Sequence, residues 1–193
     1  IGPKGEFTGS YDKEIDAHGK VVLPGFLCNH MHFYSTMVKG LGKAEPAANF
    51  NEVLEKLWWR LDKKLTLDDV YYSALLPLVD SIKRGTTTLI DHHASPMAVT
   101  GSLDTIAKAV KETGLRASLC YELSDRDGEV SSEEGIEENI NFIKRCNAEN
   151  DPQLKAMFGL HASFTIKPET MEKAAALANP LGAGFHVHCA EAQ

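Results

Sequence analysis

The sequence predicts an α/β fold on a parallel sheet, closed as a (β/α)8 barrel of which strands 1 to 5 are present. Short apolar, β-branched runs alternate with helical stretches, which is the pattern of βαβ units. The residues with chemistry sit at strand ends, whereas a doubly wound sheet gathers its ligands at one switch point. No Gly-x-Gly-x-x-Gly or P-loop pattern competes with this reading.

Each element has its own local reason. Asp16-Ala17-His18-Gly19-Lys20 reads as a hairpin turn between Glu14-Ile15-Asp16 and Lys20-Val21-Val22-Leu23, with Gly19 at the φ > 0 position and His18 a solvated turn residue. The Pro24-Gly25 break then opens a short apolar strand ending at His30-Met31-His32. A long connection over 36–65 follows, in which Val53, Leu54, Leu57, Trp58 and Leu61 recur at helical spacing. Trp58 and Trp59 read as packing anchors there, in a loop placed where barrel enzymes keep a substrate lid.

Thr66, with Asp68 and Asp69 behind it, predicts a helix N-terminus, and Gly85 its C-terminal stop. Thr86 to Asp91 is then a buried parallel strand. The cycle repeats three times: helix near 101–113 and strand Arg116 to Leu123, helix near 132–147 and strand Leu154 to Leu160, helix near 168–179 and strand Ala183 to His188.

Composition narrows the function. The 193 residues are 43% apolar and 24% charged, as in globular proteins, and could hold one domain with a sizeable core. A net charge of −7 with scattered Lys and Arg excludes nucleic acid as the expected partner. No apolar run is long enough for a bilayer, and no leader pattern opens the chain. Cys28, Cys120, Cys146 and Cys189 form no C-x-x-C pair, so neither a disulfide framework nor a zinc ribbon is expected, and a reduced cytoplasmic setting fits.

The chemistry concentrates in two stretches. Residues i and i+2 of a strand share a face about 7 Å apart, so His30 and His32 can lean onto one ion. A lone His-x-His is weak evidence, but Phe185-His186-Val187-His188-Cys189-Ala190-Glu191 repeats it at a second strand end, with a carboxylate three residues on. Neutral imidazole is the commonest nitrogen ligand for zinc and iron.

These paired stretches resemble the amidohydrolase superfamily, in its branch of aminohydrolases, deaminases and chlorohydrolases. The His32-Phe33-Tyr34-Ser35 continuation is most similar to the SsnA-type aminohydrolases. The resemblance implies a (β/α)8 barrel of the metal-dependent hydrolase type over 25–193, with residues 1–24 part of a small flanking β-sandwich. It assigns His30, His32 and His188 as ligands of one divalent ion, zinc or iron, and Glu191 as the acid that shuttles protons between water and substrate. His161 is a substrate contact by the same resemblance, and Tyr34 and Ser35 are candidates beside the metal pair. His186 lies deeper on its strand and reads as a core or supporting histidine, while neither His92 nor His93 is assigned. Binuclear members carry a carboxylated lysine at the end of strand 4; Lys155 sits at the opposite end here, which implies a single ion.

The implied reaction is metal-dependent hydrolysis of a non-peptide C–N bond in a cyclic or amidine-like small molecule. Amide-ring opening or dechlorination on the same scaffold is the alternative, and a non-catalytic metal-binding scaffold is a second. A whole barrel takes about 250 residues, so the chain reads as the N-terminal portion of a longer protein. The family's water-orienting histidine and final aspartate ligand would lie beyond Gln193. The remainder of the parent chain is therefore an expected partner, the piece alone is expected to be inactive and poorly soluble, and a homo-oligomer is compatible with the class.

Overall fold

Strand β1 (Phe26–Met31) opens the regular structure in the computed structural model, which describes residues 2, 3, 5, 6, 8–40 and 45–190. A 3-10 turn over Phe33–Val38 follows. The next helical stretch is α1 (Phe50–Val53), a wider π turn over Leu54–Trp58, α2 (Trp59–Leu61) and a 3-10 turn over Asp62–Lys64. The helical spacing of the apolar residues is thus real, but the helix widens at its centre, a distortion common at functional sites.

From there the rhythm is regular. Helix α3 (Leu67–Lys83) starts in a capping box, in which the Thr66 side chain accepts from the Asp69 N–H and the Asp69 carboxylate accepts from the Thr66 N–H. Gly85, at φ 78°, turns the chain into β2 (Thr86–His93). Next come α4 (Ser102–Thr113), β3 (Arg116–Tyr121), α5 (Glu129–Glu149), β4 (Leu154–Ala156), β5 (Phe158–Ala162), α6 (Pro168–Ala178) and β6 (Phe185–His188).

Among the described residues every strand pairing is parallel. The first sheet runs β1-β2-β3-β4, with β2 and β3 in continuous register from Thr88 opposite Arg116 to His93 opposite Tyr121. The second pairs β5 with β6. A bridge between Leu123 and Leu160, with the Met157 N–H donating to the Leu119 carbonyl at 3.1 Å, joins the two. Segments β4 and β5 are therefore one interrupted strand, the fourth of five in barrel order. Helices α3, α4 and α5 cover the sheet, burying Leu78, Leu89, Leu103, Ile106, Leu119 and Phe142. A second cluster around Ile136, Ile143, Phe158 and Leu160 lies under α5 and α6. Five parallel strands with helical crossovers form a partial (β/α)8 barrel.

Two expectations need correction. The turn at 17–20 forms, with the Lys20 N–H donating to the Ala17 carbonyl at 2.9 Å, but the described residues before Phe26 contain no strand. Val21, Val22 and Leu23 are exposed, so no partner element draws them into a ladder. The predicted strand from Leu154 to Leu160 breaks at Met157. Here the buried Asn139 of α5 takes over part of the pairing. Its Oδ1 accepts from the Tyr121 N–H (2.9 Å) and the Gly159 N–H (3.2 Å), and its Nδ2 donates to the Tyr121 carbonyl (2.8 Å) and the Gly135 carbonyl (3.0 Å). Both amide donors and both acceptor positions are used. The approach is close enough that a Cβ on Gly159 would stand 2.2 Å from the Tyr121 carbonyl oxygen.

Candidate metal centre and pocket

The C-terminal ends of the strands converge on a group of histidines. His30 and His32 come from the end of β1, His92 and His93 from β2, His161 from β5, and His186 and His188 from β6. Ring centroids of His30 and His32 are 4.9 Å apart, and each lies 5.0 Å from that of His188. The two distant His-x-His stretches thus meet, because the first and last strands of the curving sheet face each other across its inner side. Donor atoms of His32, His92, Glu122 and His188 all lie within 4.8 Å of one another, a group of the size one ion can occupy.

The tautomers are partly fixed by neighbours. His32 Nδ1 lies 2.6 Å from the His92 carbonyl oxygen, so it carries the proton and leaves Nε2 with its lone pair. His30 Nδ1 lies 3.0 Å from His186 Nε2, which makes His186 a support for His30 from deeper in the barrel. His186 also stacks on His92 at 4.6 Å. Burial holds His32, His92 and His186 below the ordinary histidine range, His92 far below it. Neutral imidazole is the form that binds metals.

Glu122, just past β3, faces this group from within the fold and was not visible as a site residue in the sequence. It is 6% exposed. Burial pushes its carboxyl up, but His188, His92, His161 and His32 outweigh that and hold it well below the usual carboxylate range. Behind it, Asp91 is pushed up to about 8 by burial and accepts from the Phe33 N–H at 2.7 Å, pinning the turn after the β1 histidines. His93 is a packing histidine, bonded to Ser95 Oγ at 2.9 Å and pushed down to about 3 by burial.

Over the centre lies a cavity of about 210 Å³. His30, His32, Glu122, His161, His188 and Ser35 give it polar lining, and Tyr34, Phe50, Trp58 and Trp59 line it with rings. Trp58 and Trp59 are thus pocket residues as well as packing anchors, and Arg126 lies over the Trp59 ring at 5.0 Å. Arg126 also pairs with Asp62 and Asp127, which ties the connection after β1 to that after β3. His161 Nδ1 is 2.6 Å from Thr165 Oγ1, and its Nε2 is 3.4 Å from Glu122. Ser35 Oγ donates to the His32 carbonyl at 2.7 Å. His30, His32, His161, His188, Tyr34 and Ser35 therefore all reach one site, while Glu191 lies outside the described residues.

A donor set of neutral imidazoles and one buried carboxylate suits a borderline divalent ion. Oε2 of Glu122 and the imidazole nitrogens of His92 are buried with no hydrogen-bond partner, and an ion would satisfy Oε2 together with one of those nitrogens. The residues fit such an ion.

Strand-borne donors at the C-terminal face of a partial barrel define the scaffold class in which barrel enzymes keep their active sites. The model of the amidohydrolase family matches residues 21–193, and the chain belongs to that family. It is 35% identical over 182 residues to a protein of Methanobrevibacter smithii named 5'-deoxyadenosine deaminase, covering 94% of this chain and 40% of that one. It is 33% identical over 192 residues to a 5-methylthioadenosine/S-adenosylhomocysteine deaminase of Desulforudis audaxviator, covering 98% of this chain and 42% of that one. In fold it is similar to an adenosine deaminase of Xanthomonas campestris with bound zinc, at a TM-score of 0.70 and 20% identity over 87% of this chain and 36% of that one. The chain spans about two fifths of the length of the curated relatives it matches.

Proposed function

We propose that the protein is a metal-dependent aminohydrolase that hydrolyses a non-peptide C–N bond of a cyclic or amidine-like small molecule. The observation that carries this reading is the meeting of the β1 and β6 His-x-His pairs beneath a ring-lined cavity. His30, His32 and His188 are the proposed ligands, and zinc is favoured because a solved relative in fold holds it. A divalent ion held there would supply an activated water, its pKa lowered from the bulk value toward about 7.

The chain's own residues do the rest. Glu191 takes a first proton from the attacking water and gives it to the ring nitrogen, then carries the proton of the newly formed hydroxyl to the amine as the C–N bond breaks and ammonia leaves, which is general acid–base work. His161, held by Thr165 and Glu122, lines the substrate pocket, and Tyr34 and Ser35 close the side next to the β1 pair. Trp58, Trp59 and Phe50 suit the flat faces of a heterocycle and exclude water from it. The names of the relatives favour an aminopurine nucleoside as the first substrate to try. Residues 1–24 would join a flanking β-sandwich, residues 25–193 the barrel, and later parts of the parent chain would complete it. A reduced cytoplasm suits the four free cysteines, and a homo-oligomer suits the class.

The test is ammonia release by the full-length chain from aminopurine nucleosides and other aminated heterocycles, with metal content measured in parallel. Glu191→Gln should keep the metal and lower turnover by at least a hundredfold. Chloride release without ammonia would favour dechlorination, ring opening without either would favour an amide substrate, and no turnover of any kind would leave a metal-binding scaffold.

A further inference from the structure

We propose that Glu122 is itself a ligand of the ion, so that β3 adds a carboxylate to a centre whose imidazoles come from β1 and β6. The inference rests on the ligand reading above and deepens it. Oε2 of Glu122 lies 3.7 Å from His188 Nε2 and 3.8 Å from His92 Nδ1. Those separations are too long for hydrogen bonds. They match donors that share an ion instead. Two ligand atoms each about 2.0–2.2 Å from a tetrahedral ion stand roughly 3.4 Å apart.

The surroundings point the same way. Oε2 is buried without a hydrogen bond, and so are both nitrogens of the neighbouring His92. Polar atoms buried in that state are costly unless something absent from the chain satisfies them. A cation beside Oε2 would satisfy that oxygen; of the two His92 nitrogens, which point apart in the ring plane, the same ion could reach only one. Among the described residues no lysine or arginine pairs with Glu122; its charged contacts are His32, His92, His161 and His188. Arg126, the nearest basic side chain in the chain order, is committed to Asp62 and Asp127. A buried carboxylate with no lysine or arginine beside it lacks a fixed countercharge, and a divalent ion is one.

The two oxygens then divide the work. Oε2 faces the ion, and Oε1, 3.4 Å from His161 Nε2, sets the imidazole that lines the pocket. One carboxylate would thereby couple the metal to a substrate-facing group.

The experiment uses the full-length chain loaded with Co(II), whose visible absorption reports the ligand set, and measures affinity by chelator competition. Glu122→Gln keeps the shape of the side chain. It should lower Co(II) affinity at least tenfold and shift the visible bands. Lower affinity with unchanged bands would overturn direct ligation, and so would unchanged affinity. His188→Ala in the same series separates the two readings. If it loses the metal while E122Q does not, Glu122 is no ligand but the imidazole centre stands. If H188A keeps the metal, the underlying ligand assignment fails instead. Should E122Q not fold, by near-ultraviolet circular dichroism of the metal-free protein, Glu122→Asp carries the test: it retains an oxygen donor on a shorter arm and should give altered bands with intermediate affinity. Bands identical to the unsubstituted protein would again overturn the proposal.

Discussion

Strands β1 and β2 are built from the same kind of residues and lie side by side, yet they meet different surroundings. Leu89 of β2 is fully buried between the sheet and its covering helices, and so is Leu119 of β3. Leu27 of β1 is 61% exposed, and Val187 of β6, at the other flank, is 43% exposed. An apolar pattern says that a segment will be a strand; it does not say how many of its faces are covered. The central strands have neighbours on both edges, whereas the flanking ones show apolar side chains that a closed barrel would bury. The metal-ligand candidates sit on those flanks, and the buried carboxylate sits at the centre.

The largest effect that sharpens this contrast should come from glycine. Gly159→Ala puts a Cβ against the Tyr121 carbonyl, a backbone group that cannot swing away. It should cost more than about 4 kcal/mol or prevent folding. Gly184→Ala, just before β6, meets nothing within 4 Å and should change stability by less than about 0.5 kcal/mol. Urea unfolding followed by circular dichroism compares the two; equal losses would break the contrast.

Leucine truncation comes next. Leu89→Ala should cost roughly 3 kcal/mol through lost burial and a cavity, and Leu27→Ala less than about 0.5 kcal/mol in the 193-residue chain. In a longer chain that covers β1, the Leu27 cost should rise toward the Leu89 value, which the same unfolding curves would detect. Asn139→Ala should lie slightly lower, at about 2–3 kcal/mol, because the Tyr121 and Gly159 N–H groups lose their acceptor while buried.

The smallest effect is at the start of α3, on the surface. Hydrogen bonds from the Thr66 backbone and hydroxyl hold the Asp69 carboxyl below its ordinary range. A carboxyl lowered in the folded state adds stability above its unfolded pKa and loses it as the pH falls. The cap should therefore weaken as pH drops below the ordinary value of 3.8. Asp69→Asn should flatten that dependence, and Thr66→Ala should cost about 1 kcal/mol at neutral pH. Thermal melts at pH 7 and near pH 3 would show a parallel loss in both proteins if the cap were irrelevant.

Much of this was legible in the sequence because its signals are local. Thr66 with Asp69, and Gly85, mark element ends by short-range chemistry, and two His-x-His pairs announce themselves by spacing. Glu122 gave no such sign: a single carboxylate after a strand looks like a surface residue until the fold closes around it. His92 and His93 stood out as a pair of which one could line the pocket but could not be assigned, because the strand was expected to stop at Asp91 and instead runs to His93. The break at Met157 could not be read either, since it depends on Asn139 arriving from α5. Trp58 and Trp59 were read for packing alone, because helical spacing cannot say which face looks into a cavity. The N-terminal turn was correct in its glycine and wrong in its strands, which need a partner from elsewhere to form a ladder.

The Asn139 amide has a further consequence for how the sheet breathes. Where strands are joined by a backbone ladder, opening spreads from the ends inward, one bond after another. At the seam between β3 and β5, three bonds converge on one side chain of a helix, and a fourth ties that side chain to the helix itself. That seam can open only when α5 lifts. The Tyr121 and Gly159 amides should therefore exchange with solvent deuterium at a common rate set by the helix, rather than in the graded order of their positions along the strands.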